Sequence, residues 1–169
     1  MYENYQPHFT KSLRRIKKFN FKYRQSTDFI EAIELYKTLF KKILSRSLRN
    51  DFERFKIICS KLYEEDKVII RQVCSKEDKL LATVLLLKDS KRLYNIISFI
   101  TPEGKRSEAN YFLYDRLIEE FCNSSLLLDM EGSDIKGVAA FYLKLNPLNQ
   151  MYPFIQYNKL PGFIKAFKR

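Results

Sequence analysis

The feature that most constrains the fold is a set of three apolar segments that follow one another between residues 68 and 101. The segments at 68–75, 80–88 and 92–101 have the length of strands and are rich in Val, Ile and Leu. The connections KEDK and KDSK between them are of hairpin length. Because a short loop reverses the chain, the pattern predicts three strands in an antiparallel meander.

Helical and strand patterns alternate after this meander. Residues 110–122 have apolar side chains at helical spacing, residues 125–130 form a short apolar run, and residues 134–145 are again amphipathic. A last strand is predicted at 151–157. A meander followed by a strand–helix–strand unit predicts an α/β fold, with a mixed, mostly antiparallel sheet and helices on both faces.

The part of the chain before the meander is mostly helical. A basic helix is predicted at 9–19, followed by a short strand in FKYRQS. Thr27 is a candidate N-cap for a helix that runs to about residue 44, and Asn50 or Asp51 opens a further one. Residues 102–110 have the composition of a loop. Since no linker or repeat interrupts the chain, we expect one domain over residues 1–169.

Positive charge is concentrated near the N-terminus. The net charge is +11, and residues 1–49 carry 12 Lys and Arg against 4 Asp and Glu. Such an imbalance favours an acidic partner, a nucleic acid or a phosphorylated ligand. A solvated helix face that keeps the protein soluble explains it equally well.

The cysteines and the hydropathy pattern exclude several classes of protein. Cys59, Cys74 and Cys122 are far apart and form no CxxC pair, which argues against a disulfide framework or a bound metal. We expect all three to be buried, as is typical of a reducing compartment. No apolar run is long enough to span a membrane and no secretory signal opens the chain. The sequence therefore predicts a cytoplasmic protein without a membrane span.

Acidic residues follow the short apolar run at 125–130. Asp129 and Glu131 come where the predicted strand ends, and Asp134 is a candidate N-cap of the next helix. Ligands of α/β sheets bind at the carboxyl ends of strands, so these carboxylates are candidate site residues. A carboxylate there could deprotonate an amine. Alternatively, both groups neutralise the dipole of the following helix.

The region 126–157 resembles the GNAT (N-acetyltransferase) superfamily and, more narrowly, the C-terminal GNAT-like half of the Fem-type peptidyltransferases. The matching residues are Asp129, Met130, Glu131 and Gly132 at a strand end, Gly137, Val138, Ala139, Phe141 and Tyr142 in a helix, and Tyr152 in a strand. The segment SLRRIKKFN also resembles the junction between the two halves of that group. The resemblance implies the GNAT fold and transfer of an acyl group from acyl-CoA to an amine on a small molecule or peptide.

The resemblance also implies a site. Tyr142 would protonate a leaving thiolate, with Glu131 and Asp129 beside the acceptor. Acetyl-CoA would lie where the strand ending at Phe99, Ile100 and Thr101 parts from the next one, with its phosphates over the loop Gly104, Lys105, Arg106 and Ser107. That loop departs from the family's glycine-rich pattern because it has only one glycine.

Two alternatives follow from the same resemblance. The chain could be one half of a Fem-like, aminoacyl-tRNA-dependent transferase, which would need a second GNAT-like half or a dimer partner. It could also be a non-catalytic module that binds RNA or a protein. In both cases the basic and aromatic residues of the segment 11–24 are the candidate contact surface.

Overall fold

The structure is a computed structural model that describes residues 4–41, 46–132, 135–151 and residue 153. Its helices and strands follow in the order α1 (Pro7–Ile16), β1 (Lys22–Ser26), α2 (Phe29–Phe40), α3 (Arg46–Glu64), β2 (Val68–Cys74), β3 (Leu80–Lys88), β4 (Arg92–Ile100), α4 (Pro102–Arg106), α5 (Ala109–Phe121), β5 (Leu127–Asp129) and α6 (Lys136–Tyr142). Short 3-10 turns at Lys17–Phe19 and Leu143–Leu145 extend α1 and α6.

The described strands form one sheet in the order β1-β2-β3-β4-β5. The neighbours from β1 to β4 are antiparallel, and β5 pairs in parallel with β4. The parallel pair follows from the connection, because α5 carries the chain back across the sheet before β5 begins. The predicted mixed, mostly antiparallel sheet is confirmed.

Helices cover both faces of this sheet, as predicted. On the first face, α1, α5 and α6 pack against the strands around buried residues such as Phe9, Leu86 and Leu117. On the second face, α2 and α3 pack around Ile33 and Cys59. The predicted basic helix is present as α1 and its 3-10 extension, and its apolar residues Phe9, Leu13 and Ile16 are buried on the first face.

Several local predictions need correction. The N-cap of α2 is Asp28, whose carboxylate accepts the Glu31 N–H at 2.7 Å, and not Thr27. Helix α3 already begins at Arg46. The predicted loop after β4 contains the short helix α4, because Thr101 caps it and Pro102 fits its first turn. Asp134, Tyr152 and most of the strand predicted at 151–157 lie outside the described residues.

The cysteines divide between core and surface. Cys59 and Cys74 are buried as predicted, and burial raises the pKa of the Cys59 thiol to about 11. Cys122 is exposed, so the prediction was wrong there: it follows the last residue of α5, beyond the part of the helix that packs on the sheet. Within the described ranges, no helix has the length and hydropathy to cross a bilayer, and no three His, Cys, Asp or Glu side chains are placed to hold a metal ion.

A bulge in β4 changes which face its side chains meet. Leu86 pairs with Asn95 and Leu85 pairs with Ile97, so Ile96 has no partner on β3 and is 42% exposed. Before the bulge, Leu93 and Asn95 point to the first face. After it, Ile97 and the next-but-one residue, Phe99, point to the second face. Bulges redirect side chains in this way and are frequent beside functional sites.

An ion pair joins α5 to the edge of the sheet. Arg71 Nε on β2 donates to the Glu120 carboxylate on α5 at 2.9 Å, and the Tyr23 hydroxyl on β1 donates to it at 2.7 Å. Arg71 Nη1 donates to the carbonyl of Ile70 at 2.9 Å. Burial alone would raise the pKa of Glu120, but the hydrogen bonds from Arg71 and Tyr23 outweigh it and hold the pKa below its usual value. We call these three side chains the Arg71 cluster.

Candidate active site

The parallel strands β4 and β5 are joined only over a short distance. Their paired positions run from Arg92 with Leu127 to Tyr94 with Asp129, after which β5 ends while β4 continues to Ile100. The carboxyl-terminal part of β4 therefore has no strand beside it on this side among the described residues. A gap of this kind, at the carboxyl ends of parallel strands, is where α/β sheets bind ligands.

A buried polar cluster lies at the point where the two strands part. Asn95 on β4 donates from Nδ2 to the hydroxyls of Tyr114 on α5 and Tyr142 on α6, both at 2.8 Å. The two hydroxyls are 3.1 Å apart. Asn95 Nδ2 is also 3.3 Å from the carbonyl oxygen of Met130, the residue that follows β5. We call Asn95, Tyr114 and Tyr142 the Asn95 cluster.

One atom of this cluster has no partner. Asn95 is 4% exposed, and its Oδ1 accepts no hydrogen bond from any described residue. This orientation of the amide is an assignment: the reverse one would let Oδ1 accept from the two tyrosine hydroxyls, but it would bring Oδ1 to 3.3 Å from the Met130 carbonyl oxygen. Buried carbonyl-type oxygens are nearly always hydrogen-bonded in proteins, which makes this acceptor a candidate contact for a bound N–H group.

The direction of the hydrogen bond between the two tyrosine hydroxyls determines which of them can donate to a ligand. Burial, together with the Tyr142 hydroxyl nearby, raises the pKa of Tyr114 well above its usual value, so Tyr114 keeps its proton at neutral pH. If Tyr114 donates to Tyr142, then Tyr142 accepts two hydrogen bonds, from Tyr114 and from Asn95. Its own O–H is then left to donate to a further group at the strand gap.

The two predicted carboxylates occupy different surroundings. Asp129 is the last residue of β5 and pairs with Arg92 Nη1 at 2.9 Å. Glu131 is exposed and lies in the left-handed region with φ 50°, while its N–H contacts Asp129 Oδ1 at 3.4 Å. Asp129 is thus engaged in holding the end of β5 to β4. Glu131 is exposed and directly follows Met130, whose carbonyl oxygen contacts Asn95.

The residues predicted to line a cofactor lie on different sides of the sheet. Phe99 is buried against the second face, whereas Ile100 packs on the first. The Thr101 hydroxyl caps α4 by accepting the N–H of Gly104 at 3.0 Å. A Cβ added to Gly104 would lie 2.1 Å from the carbonyl oxygen of Leu81. Gly104 therefore serves close packing of α4 on β3, and its N–H is already used.

The cationic part of that segment remains accessible. Lys105 and Arg106 are exposed on α4, and neither has a carboxylate partner among the described residues. The Ser107 hydroxyl donates to the carbonyl of Glu103 at 3.0 Å. Glu108, which precedes α5, does not cap that helix but pairs with Arg15 at 2.8 Å.

Several cations of the segment 11–24 already have partners inside the protein. Besides Arg15, these are Lys22, which pairs with Asp78 at 2.8 Å, and Arg24, which donates to Gln72 Oε1 at 2.9 Å. Tyr23 is part of the Arg71 cluster. The basic surface left for an anionic partner is therefore smaller than the sequence predicts.

Sequence reasoning identified Tyr142 but missed Asn95 and Tyr114. A signal for Asn95 exists, because it is the one amide in the apolar strand RLYNIISFI, and a polar residue inside such a strand needs a buried partner. Tyr114 gives no comparable signal, since a tyrosine in an amphipathic helix is usually a packing residue.

Comparison with known proteins supports the architecture. No family model and no curated protein matches the sequence. A possible acetyltransferase from Clostridium difficile 630 is similar in structure, with a TM-score of 0.59 and 16% identity over 83% of this chain and 99% of that one. A predicted acetyltransferase from Clostridium acetobutylicum, solved with acetyl-CoA, has a TM-score of 0.56 and 12% identity, covering 82% of this chain and 96% of that one. The structure of AAC(6')-Iy in complex with a CoA-S-monomethyl-acetylneamine bisubstrate analogue has a TM-score of 0.54 and 12% identity, covering 84% of this chain and 99% of that one.

The chain has the GNAT acetyltransferase fold. The similarity extends over most of the chain and over nearly the full length of each of these structures. At these identities it shows the fold alone, and the chemistry has to be argued from the site. The structures named here are acetyltransferases, and none of them is a Fem-type transferase.

Proposed function

We propose that this GNAT-fold protein is an N-acyltransferase that moves an acetyl or other acyl group from acyl-CoA to an amine. The observation that carries the proposal is the Asn95 cluster, which lies where β4 and β5 part: Asn95 Oδ1 is buried and accepts no hydrogen bond from the described residues, and Tyr142 has a proton to donate when Tyr114 donates to it. The solved structures that contain acetyl-CoA or a CoA-based bisubstrate analogue have the same fold, which supports this donor.

The residues present suit acyl-CoA at one end of the proposed site better than at the other. Asn95 Oδ1 offers an acceptor for an amide N–H at the strand gap. At the other end Gly104 cannot approach a phosphate, so the exposed side chains of Lys105 and Arg106 would hold the negative charge instead. When bound, acyl-CoA supplies an activated carbonyl carbon and a thiol leaving group.

Each protein group then has a distinct task. Glu131 is exposed beside the gap and would take a proton from the acceptor amine, because only the neutral amine has a lone pair for attack. Tyr142 Oη would give its proton to the departing sulfur. The hydrogen bonds from Asn95 and Tyr114 would stabilise the negative charge that Tyr142 then develops. Asp129 would keep the end of β5 in place through Arg92.

A cavity near the bulge of β4 offers a place for the acceptor amine. It has a volume of about 220 Å³ and lies on the second face, lined by Tyr36, Asp51, Phe52, Phe55, Ile96 and Ile97. Ile96 in this lining directly follows Asn95 in the chain, but Asn95 points to the first face, so an amine held in the cavity would have to reach the Asn95 cluster through the gap between β4 and β5. Because the walls are apolar and aromatic and Asp51 is the one carboxylate of the lining, we propose an acceptor with an apolar body and a primary amine.

The proposal is tested with acetyl-CoA and a panel of apolar primary amines. We expect acetyl-CoA to raise the melting temperature, since a ligand that binds only the folded state stabilises it. Release of CoA thiol should depend on the amine and fall by about two orders of magnitude in Tyr142→Phe, the usual scale of a lost proton donor. The Tyr63→Phe variant is the control, because it removes an exposed tyrosine hydroxyl of α3 that lines neither the gap nor the proposed acceptor cavity.

Two results would contradict the proposal. If acetyl-CoA leaves the melting temperature unchanged at millimolar concentration, the acyl-CoA donor is wrong. If turnover is measurable but equal in Tyr142→Phe and the wild type, the Asn95 cluster is not the catalytic site.

The use of Gly104 in packing favours a second candidate, a non-catalytic GNAT-fold binding module. It predicts neither a melting shift with acetyl-CoA nor thiol release, so the same experiment separates the two candidates. A Fem-like, tRNA-dependent activity or a dimer stays a prediction of the sequence alone.

A further inference from the structure

A larger cavity lies away from the strand gap, on the β3 side of α4. Its volume is about 440 Å³. The lining comes from the 3-10 turn after α1 with the start of β1, from the β2–β3 turn and from α4, and consists of Lys18, Phe19, Asn20, Phe21, Ser75, Lys76, Glu77, Leu81, Glu103, Arg106 and Ser107. The proposed acyltransferase site does not use it, apart from the shared residues Arg106 and Ser107.

Two of the three cations that line this cavity have no carboxylate partner among the described residues. Lys18 and Arg106 pair with no acid among the described residues. Lys76 lies 3.5 Å from Glu77, but that carboxylate also accepts a hydrogen bond from the Ser75 hydroxyl at 2.9 Å. Glu103 is the other acid in the lining. The three cations converge from three separate segments of the chain, which distinguishes the cavity from a charged helix face.

An aromatic pair forms one wall of the same cavity. The rings of Phe19 and Phe21 are stacked, with centroids 5.4 Å apart and planes inclined by 17°. Phe21 is anchored on Phe112 of α5, whereas Phe19 is 37% exposed. Lys18 Nζ lies over the Phe19 ring, 5.1 Å from its centroid. A planar surface with a cation beside it is the combination that binds a base together with its phosphate.

We propose that this cavity binds a nucleoside phosphate, either as a free nucleotide or as the end of a single-stranded RNA. On binding, the base takes the place of the Lys18 ammonium on the Phe19 ring. The ammonium then pairs with the phosphate, together with Lys76 and Arg106. Every base has a π-face, so the pocket would bind nucleoside phosphates in general and would not select one particular base. The site shares Arg106 and Ser107 with the proposed acyl-CoA site, but its other lining residues do not belong to that site, and the proposal does not rest on acyl-CoA binding.

The charge requirement is tested by calorimetric titration with ADP. We expect saturable binding that weakens by about tenfold or more in Lys18→Glu and Lys76→Glu, because each reversal places an acid beside the phosphate. Neither residue belongs to the proposed acyl-CoA site. Lys61→Glu on α3 has the same change in net charge away from the cavity and should bind ADP as the wild type does. Glu103→Gln should bind more tightly, since it removes a repulsive charge.

The aromatic requirement is tested with a second ligand. Phe19→Ala should weaken the binding of ADP by about tenfold, yet leave inorganic pyrophosphate unchanged, because pyrophosphate has no base to stack. Phe19→Tyr, which keeps the ring, should retain the affinity for ADP. Since Phe19 is 37% exposed, both variants are expected to fold, which the melting curve verifies.

A short oligoribonucleotide separates the two sources of the ligand. Tighter binding of the oligonucleotide than of ADP, with the same dependence on Lys18 and Phe19, supports an RNA end, and the reverse order supports a free nucleotide. The proposal is overturned if neither probe saturates at millimolar concentration, or if binding is indifferent to Lys18→Glu and Lys76→Glu. It is also overturned if acetyl-CoA displaces ADP and the same two variants lose acetyl-CoA binding, since the cavity would then be part of the donor site.

Discussion

Helix α5 is joined to the sheet by two polar clusters, and the contrast between them separates support from function. In the Arg71 cluster the charged groups face each other, and Arg71 and Tyr23 both donate to Glu120. In the Asn95 cluster, further towards the start of the same helix, Asn95 Oδ1 has no donor among the described residues. A complete cluster needs no further partner, whereas an incomplete one is stabilised by a ligand that completes it.

The largest effect is expected from breaking the complete cluster. Arg71→Met should lower the free energy of unfolding by about 3 kcal/mol, because it leaves the Glu120 carboxylate largely buried without its cation. This value is at the low end of the range for breaking a buried ion pair, because the Glu120 side chain is still 26% exposed. Denaturant unfolding measures the loss. Arg116→Met removes an exposed arginine from the same helix and should change stability by less than about 1 kcal/mol. Equal losses of unfolding free energy in the two variants would show that the Arg71 cluster stabilises the protein no more than a surface ion pair does.

A smaller effect on stability is expected from the incomplete cluster. Asn95→Leu should cost about 1 kcal/mol, the net value of an ordinary hydrogen bond, because Tyr114 and Tyr142 still contact each other and the unpartnered oxygen is removed. If the loss is as large as in Arg71→Met, the cluster is structural.

Acetyl-CoA sharpens the same comparison. The melting shift that it produces should be retained in Arg71→Met and lost in Asn95→Leu, although the first variant is the less stable of the two. Differential scanning fluorimetry with and without the ligand measures both shifts. A shift of the same size in both variants would remove Asn95 from the proposed site.

The smallest effect is expected in the pH dependence. The pKa of Glu120 is below its ordinary value of 4.5 in the folded protein, so its stabilising contribution is present above that value and is lost as the pH falls through the folded pKa. The stability difference between wild type and Glu120→Gln should therefore be constant near neutral pH and shrink below about pH 4.5. The Asn95 cluster contains no carboxylate, so the difference between wild type and Asn95→Leu should not change in this range.

The sequence predicts the sheet and its helices well because those elements repeat a simple apolar pattern. The runs at 80–88 and 92–101 are close to β3 and β4 as observed, since buried strands of the meander are continuously apolar. The candidate site is predicted only in part. Tyr142 was found through a family resemblance, whereas Asn95 is placed beside it by the bulge. The pairing of Asp129 with Arg92 depends on strand register, which no local pattern encodes.

The segment after β4 shows a second limit of sequence reasoning. The family resemblance places the phosphates of acetyl-CoA over the loop from Gly104 to Ser107, although this loop has only one glycine. In the structure the same glycine is required by the backbone of β3, which leaves no space for a side chain. A glycine signals a close approach of something to the backbone, but the sequence does not say whether that is a ligand or the protein itself.

The bulge at Ile96 divides β4 into two halves whose odd-numbered side chains point to opposite faces of the sheet. Buried residues alternate along the whole strand, at positions 93, 95, 97 and 99, yet the first two serve one core and the last two serve the other. If Ile96 instead took a regular place in the ladder, the residues after it would change face and Phe99 would point towards the side now occupied by Tyr114. The bulge therefore lets one strand supply large side chains to two cores, because Leu93 and Phe99 are an even number of residues apart and would share one face of a regular strand.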